Sequence, residues 1–262
     1  MPRHPVAVGP LTLRCLTIPN MSHIRSQLES LPLFLSAPSD CSYLANRQTR
    51  NVFVDPRLQL NASQRDALAQ MGFRRSGPSH YRPMCPSCQA CESTRIDVAA
   101  FAPNRAQRRC LKRNDDLIAS WATPVGTDER YALYRDYLAQ RHADGGMDPD
   151  DREGFEQFLC SPSASTTQHL LIRDSAGTLL AVCVVDRLLS GLSAVYTFFA
   201  PDVAQRSLGR YAILRLIESC RAATLPWLYL GYYVEGSEKM HYKAEYQPQQ
   251  RRKAETWTDI KD

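Results

Sequence analysis

The chain has 262 residues, 44% hydrophobic and 23% charged, which is the make-up of a globular protein with a substantial core. Its net charge of +5 fits a nucleic-acid partner without requiring one, and no apolar run approaches the roughly 18 residues of a membrane-spanning helix. Nine cysteines, an odd number, follow an N-terminus that makes a poor secretory signal; this excludes a disulfide framework and points to a reducing, cytoplasmic setting.

In chain order, the first clear element is "NASQRDALAQMG" over 61–72, a short helix with Asn61 or Ser63 as cap and Gly72 as stop. Next comes "YRPMCPSCQAC" over 81–91, with thiols at i, i+3 and i+6. With Cys41 as a distant fourth ligand, Cys85, Cys88 and Cys91 would suit a zinc or iron–sulfur site. The favoured reading is a tight loop of reduced thiols that positions Arg82. Cys15, Cys110, Cys160, Cys183 and Cys220 read as small apolar fillers.

"STRIDVAAF" (93–101) is a strand, and "NRAQRRCLKRNDDLIAS" (104–120) is a helix behind Pro103. That helix sets Arg105, Arg108, Arg109 and Lys112 on one face, either a ridge for phosphates or a solvated surface. "DERYALYRDYLAQRHA" (128–143) is an amphipathic helix with Tyr131, Tyr134, Tyr137, Leu138 and Arg141 on one stripe. Gly145 and Gly146 end it, and His142 reads as a residue of the helix cap.

Residues 169–201 form three antiparallel strands, with turns at 174–177 and 190–191. The helix "RYAILRLIESCRAA" and the strand "WLYLGYYV" complete a β-α-β unit, so strands 193–199 and 227–234 are expected to be parallel neighbours. A meander feeding such a crossover is the layout of GNAT-type acyltransferases, in which the acyl donor lies between the two parallel strands. The expected fold class is mixed α+β, with a GNAT-like C-terminal half and an α+β N-terminal half, or two GNAT-like halves in tandem. The expected division is 1–103 for the N-terminal domain with the cysteines, 104–248 for the catalytic domain and 249–262 for a tail.

Several long motifs carry a resemblance. "CSYL", "YRPMCPSCQACESTRIDVAAFAPNRAQRR" and "YLAQRHADGGM" resemble the N-terminal half of the arginyl-tRNA–protein transferase family. "LSAVYTFFAP", "RSLGRYAILRLIE" and "LPWLYLGYYVEGSEKMHYKAEYQP" resemble its C-terminal half, so the likeness runs from about Cys41 to Pro248. "CSYL" and "RPMCPSC" have the form found in the bacterial branch, the aspartate/glutamate leucyltransferases. The eukaryotic arginyl enzymes carry a second cysteine where this chain has Leu44, and a Cys-Cys pair in the next motif. Their cysteines have been linked to an iron–sulfur cluster, a link that the departure at Leu44 weakens here. The resemblance implies transfer of leucine from leucyl-tRNA to the α-amine of proteins beginning with Asp or Glu, which marks them for N-degron degradation, with no membrane involved.

Such a reaction is the aminolysis of an already activated ester, so no metal, ATP or covalent nucleophile is obligatory and no cofactor is expected. An α-amine has a pKa of about 8, so a weak base or a water relay suffices. At family-matching positions, Asp186, Tyr196, Glu235 and Tyr242 are the candidate proton acceptors or relays; Tyr196 also reads as core and Asp186 as a turn cap. Arg206, Ser207 and Gly209 open a helix whose free N–H groups suit phosphate or the tRNA 3′ end, unless the glycine only permits close packing. Coenzyme-A-binding turns carry Gly or Ala where this chain has Tyr211, whose ring would crowd a pyrophosphate. The acceptor's acidic side chain needs a cation, and Tyr81, Arg82, Arg95, Lys239 and Lys243 are the candidate acceptor-binding residues. The alternatives are an acetyl-coenzyme-A-dependent acetyltransferase, or a non-catalytic metal- or RNA-binding regulator built on Cys85, Cys88 and Cys91.

Overall fold

The structure, a computed structural model, describes residues 31–141, 148–160 and 166–260. Cys15, His142, Gly145 and Gly146 lie outside the described residues. The chain opens with β1 (Leu33–Leu35), β2 (Ser39–Asp40), β3 (Gln48–Thr49) and β4 (Asn51–Val54), then α1 (Ala62–Gln70), β5 (Arg74–Ser76), β6 (Ser79–Pro83) and β7 (Cys91–Asp97). There follow α2 (Arg105–Arg113), β8 (Ile118–Ala122), α3 (Asp128–Arg141), α4 (Arg152–Phe155), a π-turn (Glu156–Cys160), β9 (Thr167–Arg173), β10 (Leu179–Arg187) and β11 (Gly191–Phe199). A 3-10 turn (Pro201–Arg206) leads into α5 (Leu208–Ala222). The chain ends with β12 (Trp227–Val234), α6 (Glu238–His241), a 3-10 turn (Tyr242–Glu245), β13 (Gln249–Lys253) and β14 (Thr256–Asp259). No described helix is long and apolar enough to cross a membrane.

Two compact units result: one is 97–228, and the other joins the described residues before 97 to those from 229 onward. The expected cuts after 103 and 248 differ from this division. Residues 249–262 do not form a simple tail, because β13 pairs antiparallel with both β14 and β7.

In the discontinuous unit a four-stranded sheet, β1-β4-β6-β5, covers α1. Asn61, not Ser63, caps that helix: its Oδ1 accepts from Gln64 N at 2.9 Å, and Gln64 Oε1 accepts from Asn61 N at 3.0 Å. Gly72, at φ +84°, supplies the left-handed stop. Leu33, Val52, Val54, Leu68, Met71 and Phe73 form the core between helix and sheet. A second set of strands runs β14-β13-β7-β12.

In the 97–228 unit, β8 to β11 form an antiparallel meander in the order β11-β10-β9-β8, with α3 and α5 packed on β10 and β11. From Leu179 to Asp186 every residue of β10 is buried, which accounts for its unbroken apolar run. The helix expected over 104–120 stops at Arg113. Buried Asn114 donates its amide to Cys110 O (2.9 Å) and Arg206 O (2.8 Å), and Asp115 and Asp116 stand unfavourably at the negative helix end. The residues beyond become β8.

Gly191 opens β11, where an added Cβ would fall 2.1 Å from Trp227 O at the start of β12. The two strands thus begin side by side, as the expected parallel crossover requires. The expected mixed α+β class, with an antiparallel meander feeding a crossover helix, is the architecture found. β11 carries one extra residue against β10, because Val184 faces Tyr196 while Val185 faces Ala194. Bulges of this kind re-aim neighbouring side chains and are common beside active sites.

Candidate active site

Within the 97–228 unit, α2 and the start of α5 are fastened together. Gln107, Cys110 and Asn114 are buried, while Arg105, Arg108, Arg109 and Lys112 are exposed on the other side. Asn114 reaches Arg206 O, and Arg113 donates to Gln205 O, so the cation ridge is anchored to the loop that opens α5. Arg206 itself is not idle: its guanidinium grips both oxygens of Asp116 at 2.9 Å and holds that carboxyl below the usual carboxylate range. Both partners are partly exposed, so the pair is weak and open to exchange for a phosphate.

Ser207 sits in the left-handed region (φ 52°) and makes no side-chain cap bond, which leaves the first N–H groups of α5 to other partners. A Cβ on Gly209 would meet Phe199 Cε1 at 3.2 Å, so this glycine does bring the helix close to β11. Tyr211 differs from expectation. Its ring is buried on the apolar stripe with Leu208 and Leu214, so it does not stand over the helix start, and its bulk is no argument against a pyrophosphate.

The rings on α3, the π-turn and β11 form a cluster that the sequence showed only in part. Tyr196 lies 5.4 Å from Phe158 and 6.4 Å from both Tyr134 and Tyr137, while Tyr137 lies 5.0 Å from Phe199. Tyr134, Phe155 and Phe198 are buried beneath; Tyr137, Phe158, Tyr196 and Phe199 are half-exposed. The Tyr196 hydroxyl is itself buried and finds no hydrogen-bond partner. Burial raises its pKa far above the ordinary phenol value, so at neutral pH it keeps its proton, which suits a hydrogen-bond donor or relay and not a base.

The π-turn that carries Phe158 is held from below. Arg130 Nη1 donates to His169 Nδ1 (3.1 Å), which leaves Nε2–H to donate to Leu159 O (3.0 Å). Asp186 is buried and accepts from Thr167 Oγ1 at 2.7 Å, a bond between β10 and β9.

In the discontinuous unit the expected acceptor residues divide. Arg82 is committed: it binds Glu255 at 3.0 Å, donates to Met71 O at 3.1 Å and lies over the Phe73 ring. Arg95 stacks 4.2 Å from the Trp257 ring centroid and donates twice to Gln250 Oε1, across the β7–β13 pairing. Both are fixed by packing partners. Tyr81 has its ring between Phe53 (5.9 Å) and Tyr232 (6.1 Å). Lys239, Glu235 and Tyr242 are exposed on the stretch after β12.

Lys243 is the unusual cation. It is 5% exposed, with Nζ donating to Tyr232 O at 2.6 Å. Burial, and then the neighbouring Arg74 charge, push it down to about 7. Arg74 is buried too, and its Nη2 would lie 3.3 Å from a Cβ on Gly231, which sits at φ +86°. A side chain at that glycine would displace the guanidinium. Nothing in the sequence marks Arg74, and Lys243, a candidate acceptor-binding residue, carries no sign there of being enclosed.

The eight described cysteines are free thiols, and Cys110, Cys160, Cys183 and Cys220 are buried as expected of fillers. Cys85 and Cys88 face each other across a tight bridge, and Cys91 feels the charges of Cys41, Cys85 and Cys88. Burial first, and then those neighbours, push the Cys91 thiol up to about 12, so without a metal it stays protonated at neutral pH. Among the described residues no three His, Cys, Asp or Glu side chains stand where they could hold a metal ion.

Two family descriptions match the chain: "Arginine-tRNA-protein transferase, N terminus" over residues 39–109 and "Arginine-tRNA-protein transferase, C terminus" over 129–253. A protein of Teredinibacter turnerae named aspartate/glutamate leucyltransferase is 46% identical over 90% of this chain and 96% of its own. Proteins of the same name from Thiobacillus denitrificans and Saccharophagus degradans are 47% and 44% identical over 85% of this chain and 92% and 94% of theirs. Among solved structures, L-PGS of Bacillus licheniformis is a distant likeness, at 12% identity and TM-score 0.46 over 66% of this chain and 59% of that one. The matched segments and the long relatives agree: the chain belongs to the arginine-tRNA-protein transferase family and is an aminoacyltransferase.

Proposed function

We infer that the protein moves leucine from leucyl-tRNA to the N-terminal α-amine of proteins beginning with Asp or Glu, and so marks them for N-degron degradation in the cytoplasm. The observation that carries this reading is the 46% identity, over 90% of the chain, to a relative named aspartate/glutamate leucyltransferase. The amine nitrogen bonds to the ester carbonyl carbon, the carbon–oxygen bond to the ribose breaks, and the released ribose oxygen takes up the proton the amine loses. The ester is activated beforehand, so the reaction closes without metal or cofactor, and the protein's task is alignment and charge stabilisation.

Residues of the chain divide that task. Arg105, Arg108, Arg109 and Lys112 offer phosphates an exposed row of cations beside the α5 start, where Arg206, Ser207 and Gly209 lie. In the other unit, Lys243 and Arg74 are two neighbouring buried cations, one of them held near neutrality until an anion arrives. The acceptor's carboxylate supplies that anion, with Lys239 exposed nearby in sequence. Glu235 and Tyr242, exposed after β12, are the remaining proton relays through water.

Full-length protein incubated with charged leucyl-tRNA is expected to leucylate peptides beginning with Asp or Glu and to leave those beginning with Asn or Gln unmodified. Absence of product, together with clear thermal stabilisation by coenzyme A, would replace this reading with the acetyltransferase one.

A further inference from the structure

We propose that the half-open aromatic face formed by Tyr137, Phe158, Tyr196 and Phe199 seats the leucyl side chain of the donor, with the Tyr196 hydroxyl donating a hydrogen bond to the ester carbonyl oxygen. The proposal rests on leucyl-tRNA being the donor. Its strongest support is the Tyr196 hydroxyl, an enclosed polar atom with no hydrogen-bond partner, at the centre of half-exposed rings. A buried donor left unpaired is unfavourable in the free protein and becomes favourable when a ligand supplies the acceptor.

Three features aim that hydroxyl. The bulge in β11 falls immediately before Tyr196 and resets its direction. The π-turn brings Phe158 to 5.4 Å from it, and π-turns occur frequently at functional sites. The buried Arg130–His169 pair then locks that turn through Leu159 O. The rings also reach the place where RNA is expected, since Phe199 touches Gly209 at the α5 start and Arg141 lies over the Phe199 ring at 5.8 Å.

The chemistry of the face selects its occupant. A purine base would bring several donors and acceptors along its edge, more than one hydroxyl can pair, whereas an isobutyl group brings none and needs only apolar surface. During the transfer Tyr196 keeps its own proton. It stabilises the negative charge that grows on the carbonyl oxygen as the amine nitrogen bonds to carbon, and the ribose oxygen leaves with the amine's proton.

Tyr196→Phe removes a hydroxyl that has no partner in the free protein, so the melting temperature is expected to hold or rise. The kcat for leucine transfer should fall by about 10²–10³, as for loss of one oxyanion donor, with the KM for the acceptor peptide unchanged. Phe158→Ala should raise the KM for leucyl-tRNA by roughly ten- to two-hundredfold and admit larger donors such as phenylalanyl-tRNA, again with the peptide KM unchanged. Wild-type kcat in Tyr196→Phe, or a Phe158→Ala whose only defect is peptide KM, overturns the proposal. Wild-type protein that transfers no leucine overturns the donor reading itself, and the wild-type control separates the two failures.

Discussion

Replacing Lys243 with methionine should make the protein more stable and less active. Lys243 Nζ titrates near 7 where an ordinary lysine titrates at 10.5, because burial and the Arg74 charge disfavour the ammonium. At about 1.4 kcal/mol per tenfold change in proton affinity, that difference corresponds to about 5 kcal/mol. Below pH 7 both folded and unfolded chains carry the proton, and the folded state bears this cost in full. Between 7 and 10.5 the unfolded chain holds the proton and the folded one does not, so stability rises with pH, and above 10.5 the cost is gone. Methionine keeps the apolar stem, removes the charge and gives up the bond to Tyr232 O, worth about 1 kcal/mol.

Lys243→Met should therefore exceed the wild type by about 4 kcal/mol at pH 6, with the gap narrowing by about 1.4 kcal/mol per pH unit above 7 and closing near pH 10. Urea unfolding of both proteins at pH 6, 7, 8 and 9 measures this difference. Raised thiols such as Cys91 and Cys220 alter the pH profile of both proteins alike and cancel in it. A variant less stable than the wild type at pH 6, or a gap that does not change with pH, refutes the reasoning. Peptide leucylation by the variant should fall sharply, the trade expected where a buried charge is kept for binding.

Other outcomes are open to simpler assays. Thr167→Val removes the hydroxyl that Asp186 holds at 2.7 Å and should cost about 1–3 kcal/mol in denaturant unfolding. Gly191→Ala puts a methyl group 2.1 Å from Trp227 O and should destabilise by about 3 kcal/mol or fail to yield soluble protein. Changing Arg105, Arg109 and Lys112 to glutamine should leave the melting temperature within experimental scatter while weakening tRNA binding. The slope of log affinity against log salt should fall by about 0.7–0.9 for each phosphate the variant no longer neutralises. Asp116→Asn frees Arg206 with little effect on the melting temperature, because the pair is exposed, and should lower the KM for leucyl-tRNA.

Elements whose signals are local were legible in the sequence. Asn61 with Gln64 specifies a helix start without outside help, and β12 ends where "WLYLGYYV" ends because its residues are buried almost throughout. The end of α2 was not legible, since it depends on Asn114 bonding to Arg206 O far along the chain. The glycine marks the α5 start in the sequence, but nothing local tells whether Tyr211 faces a ligand or the apolar stripe with Leu214, because burial is set by what packs against the helix. Tyr196 was singled out, and its character as donor was not, because an unpaired hydroxyl is a property of its surroundings. Arg74 and Lys243 show the same limit: a charged side chain carries no mark in the sequence of being enclosed.

One of the two units is assembled from both ends of the chain, with residues 97–228 intervening. During synthesis β7 emerges long before β12 and β13, the strands it will bond to, so its edges wait unpaired while the intervening residues fold by themselves. A ribosome that stops short of β13 would release a protein with an intact meander and an unfinished second unit. Removing β13 and β14 is therefore expected to leave β7 without one of its partners, an injury to a strand more than 150 residues earlier in the chain.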